Sequence, residues 1–318
     1  MGDQADIIAT PIPEYIDPAL VVDFDLFGDH RFAEAGHPYD GLLRLMEETG
    51  PGIFWTPRNG GHWFITDYEL LFEAARTTEL FSSANASFPA VPPDQEAFLP
   101  PLNVDPPEHG KYRVPLMRAF SPANIRALDH AIRQTARELI EPFVARGHCD
   151  FFAEVSELLP LTIFMRMMGF DLSRLHEFRQ WAVWMTESDV ALRTRGFNNA
   201  IEMARPLLDE RRIERRDDIL SKLLDEQIEG RPLTQRELEG MCTLLLGAGL
   251  DTVVNSMSFS MEHLANNPAL QDRLRADPSL IPEAVEEFLR RFAVPSRSAR
   301  SRRTAASMAR RSRPANGW

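Results

Sequence analysis

The run Leu244-Leu245-Leu246-Gly247-Ala248-Gly249-Leu250-Asp251-Thr252 sets a carboxylate beside a hydroxyl in an otherwise apolar stretch. Two glycines inside a helix cost about 1 kcal/mol each relative to Ala. A Thr hydroxyl can compete for backbone carbonyls and open or bend the turn. A polar Asp-Thr pair in such a helix calls for a partner, a ligand or water. The other reading is a packing notch for a crossing helix, with Asp251 turned to solvent. Glu287-Phe288-Leu289-Arg290 places an acid and a base three apart on one helix face, a common surface spacing that contributes little alone. Asp105-Pro106-Pro107-Glu108-His109, with Arg113 four residues on, would align His109 and Arg113. Together they could grip the carboxylates of an acidic ligand, or form a solvated basic turn.

The elements that must carry these residues are mostly helical. Ser121-Pro122 caps a helix through Phe143, and further helices are expected near 152–168, 172–190, 197–212 and 217–227. Thr234-Gln235-Arg236-Glu237 is a capping box. It opens a helix from Arg236 to about Asn266, roughly 30 residues or ~45 Å, with two more near 269–276 and 280–292. A small β region is expected from 53–56 and 62–66 around Pro57-Arg58-Asn59-Gly60-Gly61. The prolines of 85–107 predict a long loop.

Composition narrows the classes. Thirty-five Lys plus Arg face 47 Asp plus Glu, a formal charge of −12, which argues against a nucleic-acid partner. The seven Arg after Pro295 leave residues 1–295 with 28 basic against 47 acidic groups. With only Cys149 and Cys242 there is no disulfide framework. Of the eight His no pair has HExxH spacing, and Asp217-Asp218 lacks the further acids of a magnesium motif, so no metal ligands are assigned. Met165 to Met168, Trp181 and Trp184 read as core. No run approaches the ~18–20 apolar residues of a membrane span, and Met1–Thr10 lacks the pattern of a secretory signal. A cytoplasmic protein without membrane contact is expected.

In this order the AGxDT centre, the downstream ExxR and the upstream DPPEHxxxR resemble the cytochromes P450. Val22-Asp23-Phe24-Asp25, Gly60-Gly61-His62-Trp63 and Leu250 to Asn255 are similar to the bacterial class I, camphor-hydroxylase branch. The resemblance covers residues 12 to about 294. It implies a mainly α fold with a small β region, incomplete at the C-terminus, in which 1–294 is a partial P450 domain and 295–318 an aberrant, disordered basic tail. It implies a heme b monooxygenase that hydroxylates a small apolar substrate with O2. The electrons would come from a [2Fe-2S] ferredoxin and its reductase. Asp251 would gate proton delivery and Thr252 would hydrogen-bond the bound oxygen, both as catalytic residues. His109 and Arg113 would hold the haem propionates, Gly247 and Ala248 would lie against the cofactor, and Glu287 and Arg290 would form a structural ion pair. Phe88, Phe98, Leu245 and Val253 would line the substrate pocket.

The sequence also departs from the family. Members place the haem-ligating Cys in a FGxGxxxCxG loop downstream of ExxR. The 28 residues after Arg290 contain no Cys, so the axial ligand is absent and the chain is expected to be inactive. The Ser/Arg/Ala-rich tail reads as a shifted frame, the alternative being a genuine basic tail. Where the camphor enzyme has a substrate-binding Tyr, two positions ahead of Phe98-Leu99-Pro100, this chain has Glu96, expected to point to solvent. A reading from another class is a non-catalytic all-α remnant, or a binding protein made from one.

Overall fold

The computed structural model describes residues 10–35, 38–50, 52–84, 86, 88, 96–187, 189–294 and 299–301. They fall into two compact units, one drawn from Met1–Glu96 and Ser298–Trp318, the other from Ala97–Arg297.

The first unit contains α1 (His30–Ala35), α2 (Pro38–Thr49), strands β1 (Ile53–Thr56) and β2 (His62–Ile65), and α3 (Tyr68–Arg76). The β1–β2 hairpin has the expected register, Ile53 opposite Ile65 and Thr56 opposite His62. Its turn works because Asn59, Gly60 and Gly61 all take positive φ, and a Cβ on Gly61 would lie 2.7 Å from the Trp55 ring. Phe24, Leu45 and Phe54 form a small core, with Phe24 meeting Phe32, Phe54 and Phe64 edge-on. Helices α1 to α3 were not foreseen. Strand β3 (Phe81–Ser82) pairs antiparallel with β6 (Arg300–Ser301). Two residues of backbone pairing need no apolar period, so composition could not reveal β6. Residues 295–298 and 302–318 lie outside the described set, as does most of 85–95.

The second unit is helical. It runs α4 (Glu108–Ala119), α5 (Pro122–Val144), α6 (Leu158–Met168), α7 (Leu175–Thr186), α8 (Val190–Ile213) and α9 (Ile219–Leu224). The hairpin β4 (Gln227–Ile228) and β5 (Arg231–Pro232) then leads to α10 (Gln235–Ala265), α11 (Pro268–Ala276) and α12 (Ile281–Arg291). A π-helical turn at Phe152–Ser156 breaks the helix expected from 152, and α8 begins earlier than expected because Asp189 caps it through Ala191 and Leu192 N–H.

Helices α6, α7, α8 and the first half of α10 share one core, in which Met165, Met168, Phe178, Ala204, Leu208, Leu238, Met241 and Leu246 are buried. One charged knot ties this core to its edge. The Arg211 side chain is 0% exposed and donates to Asp218 at 2.6 Å, to the Gly169 carbonyl at 2.9 Å and to Glu210 at 2.8 Å. Gly169 ends α6 at φ +72°, where a Cβ would overlap Asp218 Oδ2 and lie 2.7 Å from Arg211 Nη2. Asp218 also caps α9, accepting from Ser221 N–H at 2.8 Å.

Candidate functional site

Helix α10 starts from the capping box that the sequence announces. Thr234 and Glu237 cap each other, and Glu237 also accepts from Arg231 at 2.8 and 2.9 Å and from the Tyr112 hydroxyl at 3.0 Å. The Arg231 guanidinium, with Thr234 and Tyr112, holds its carboxyl at about 2 despite burial. The β4–β5 hairpin and α4 are thereby fastened to the start of α10.

At the helix centre the packing notch is present. Gly249 is a packing notch, since a Cβ there would lie 2.8 Å from the Phe164 ring of α6. Gly247 meets Met185 at an ordinary 3.5 Å, so nothing there demands a glycine. One turn on, the Thr252 hydroxyl donates to the Ala248 carbonyl at 2.8 Å, the expected competition with the helix ladder. Asp251 is half-buried, and burial raises its pKa while a hydrogen bond with Asn255 opposes that. Ala248 is exposed, Val253 is 45% exposed and Leu245 is half-buried.

Of the remaining predicted residues, His109 and Arg113 lie one turn apart on α4, His109 half-buried and Arg113 exposed. Phe98 is clamped in the second unit beneath Arg236 and against Tyr112. Phe88 lies in the first unit, stacked on Phe27 at 5.7 Å and edge-on to His62 at 4.6 Å. Glu96 is half-buried, with Oε2 withdrawn from water, rather than turned to solvent. Glu287 and Arg290 do pair, through two bonds of 2.7 Å, yet their side chains are 59% and 70% exposed. The pair sits on the open side of α12, so it carries little stability here. By length and composition α10 could cross a bilayer. That differs from the expectation that no run approaches a span; Asp251, Thr252 and Asn255 break up its apolar residues in the sequence.

The family model for Cytochrome P450 matches residues 155–284. "Probable cytochrome P450 127A1" of Sinorhizobium fredii is 30% identical, covering 89% of this chain and 69% of that protein. This chain belongs to the cytochrome P450 family. The solved structure of CYP101J2 superposes with a TM-score of 0.77 at 32% identity, over 89% of this chain and 70% of that one. The P450 fold and the camphor-type likeness expected from the motifs are thereby borne out. A further relative, "Linalool 8-monooxygenase" of Pseudomonas putida, is 29% identical over 273 residues, 80% of this chain and 67% of that protein.

P450 enzymes are haem monooxygenases, and their axial thiolate favours O–O cleavage. The donor set here does not fit that centre. Cys242 is wholly buried on α10, where loss of hydration pushes its thiol up to about 12, so it is protonated and packed into the core. Cys149 follows α5, outside any glycine-rich loop, and the sequence has no third cysteine. No step through iron is therefore assigned to this chain.

Proposed function

We propose that residues 1–294 form the P450 portion of a cytoplasmic class I monooxygenase scaffold. Its chemistry is hydroxylation of a small apolar, terpenoid-like molecule with O2 and electrons from a [2Fe-2S] ferredoxin and its reductase. In this reading the chain of 318 residues does not itself turn over. The observation that supports the site assignment is at the centre of α10, where the Thr252 hydroxyl donates to the Ala248 carbonyl beside a half-buried Asp251. Burial favours the protonated form of Asp251, and the Thr252 hydroxyl beside it can pass a proton along a hydrogen bond. His109 and Arg113 offer donors to carboxylates, Gly247 and Ala248 lie one turn before Asp251 and Thr252, and Glu287 and Arg290 pair on the exposed side of α12. Within the second unit Phe98, Leu245 and Val253 would supply apolar contact. The relative named for linalool supports a terpenoid substrate.

A haem-binding or purely apolar-binding protein without turnover is the second reading, favoured by the protonated, buried Cys242. The reduced, carbon monoxide-bound spectrum of the purified chain tests the inactivity. A thiolate-type Soret band would refute it. Titration with haem and separately with linalool, cineole and camphor shows whether the scaffold still binds either.

A further inference from the structure

Gly240 has no evident reason to lie inside α10, where an interior glycine costs about 1 kcal/mol relative to Ala. The structure supplies one. A Cβ at Gly240 would overlap the Phe98 carbonyl oxygen and lie 2.8 Å from Pro100 Cδ. The segment Ala97–Asn103 thus rests directly on the helix backbone. Asn103 closes this segment into a rigid turn, its amide donating to the Ala97 carbonyl at 2.7 Å and its carbonyl accepting from Leu99 N–H at 2.8 Å. One helical turn before Gly240, the Arg236 guanidinium lies over the Phe98 ring at 5.1 Å. Tyr112 meets the same ring edge-on at 5.9 Å, and its hydroxyl is held by Glu237.

We infer that Gly240 is a specificity-determining positioning residue. Together with Arg236 it sets the height and tilt of the Phe98 ring, and hence the size of apolar molecule that ring can accept. The inference rests on the proposed function, which gives Phe98 a place against the substrate. It deepens that reading by moving part of the size selection onto a residue that touches no ligand. The backbone of the turn is bonded to itself, so a methyl at position 240 displaces the turn as a unit and carries Phe98 outward.

The test uses the full chain with selectively ¹³C-labelled Phe rings, comparing wild type, Gly240→Ala and Arg236→Met. Arg236→Met adds no overlap, which covers the case where Gly240→Ala fails to fold. Calorimetry measures affinity for a compact ligand, 1,8-cineole, and a longer one, β-ionone. The expected result is a shifted Phe98 ring resonance in each folded variant. The ratio of the two affinities should also change by about tenfold in Gly240→Ala, the low end of what one methylene of misfit is worth in a pocket. An unmoved Phe98 resonance overturns the inference, and so does an equal loss of affinity for both ligands, which would mark a merely structural role. A wild-type chain that binds neither terpenoid defeats the substrate reading and its size selection, and the positioning claim then stands or falls on the Phe98 resonance.

Discussion

Replacing Asp218 by Ala takes the counter-ion from a guanidinium with no exposed surface. Arg211 would keep the Gly169 carbonyl and Glu210, but lose its bond of 2.6 Å to the one buried carboxylate it meets. Breaking a buried pair from one side costs about 3–5 kcal/mol. Asp218 is also the N-cap of α9, worth about 1 kcal/mol more. Together these come to about 4–6 kcal/mol, which matches the lower end of an ordinary domain's stability of ~5–15 kcal/mol. The exposed Glu287–Arg290 pair is the control, since Glu287→Gln should cost at most about 1 kcal/mol. Urea unfolding followed by far-UV dichroism compares the two. The variant Asp218→Ala should lose most of its cooperative transition, while Glu287→Gln keeps its midpoint. Removing both charges with Arg211→Met and Asp218→Leu should recover much of the loss, because no ion is then left unpaired. Equal small losses in both single variants would refute the reasoning.

Three further outcomes follow from the same geometry. Gly249→Ala should destabilise by about 1–3 kcal/mol through its overlap with Phe164, whereas Gly247→Ala should be neutral or stabilising, since its Cβ has room; urea midpoints decide both. Glu237 is held at about 2 in the folded chain against an ordinary 4.5. The unfolded chain therefore binds the extra proton first, and the stability it contributes is present above about 4.5 and lost as pH falls toward 2. Thermal melts should show that fall blunted in Glu237→Gln. Asp251 is shifted the other way, so folding costs more once it ionises. Asp251→Asn should raise the melting temperature at neutral pH, and an unchanged value would mean the carboxylate is well hydrated.

The helices from α4 onward were legible because their caps and breaks are local. Ser121-Pro122, Thr234 through Glu237 and Asn267-Pro268 mark ends by chemistry confined to a few residues. Helices α1 and α2 carry weaker marks among prolines and glycines, α3 has a local cap in Asp67 that was overlooked, and β6 has none. At the site, the hydroxyl-to-carbonyl bond of Thr252 was readable because it spans one turn of one helix. The roles of Gly169, Arg211 and Gly240 were not, because each depends on a contact partner distant in sequence. Sequence could still have flagged Gly240 as a helix-interior glycine lacking a motif. The ExxR pair shows the opposite limit, since spacing predicted the bond but not its exposure.

The burial of Cys242 gives the protein a built-in clock. A thiol held at about 12 and sealed in the core is almost wholly unreactive toward alkylating reagents near neutrality. In the native chain a maleimide dye would therefore mark Cys149 alone. Modification of Cys242 must wait until α10 parts from its neighbours, so its rate counts openings of the helical core. One reagent added to unmodified protein thus reports surface access at one thiol and the frequency of core opening at the other.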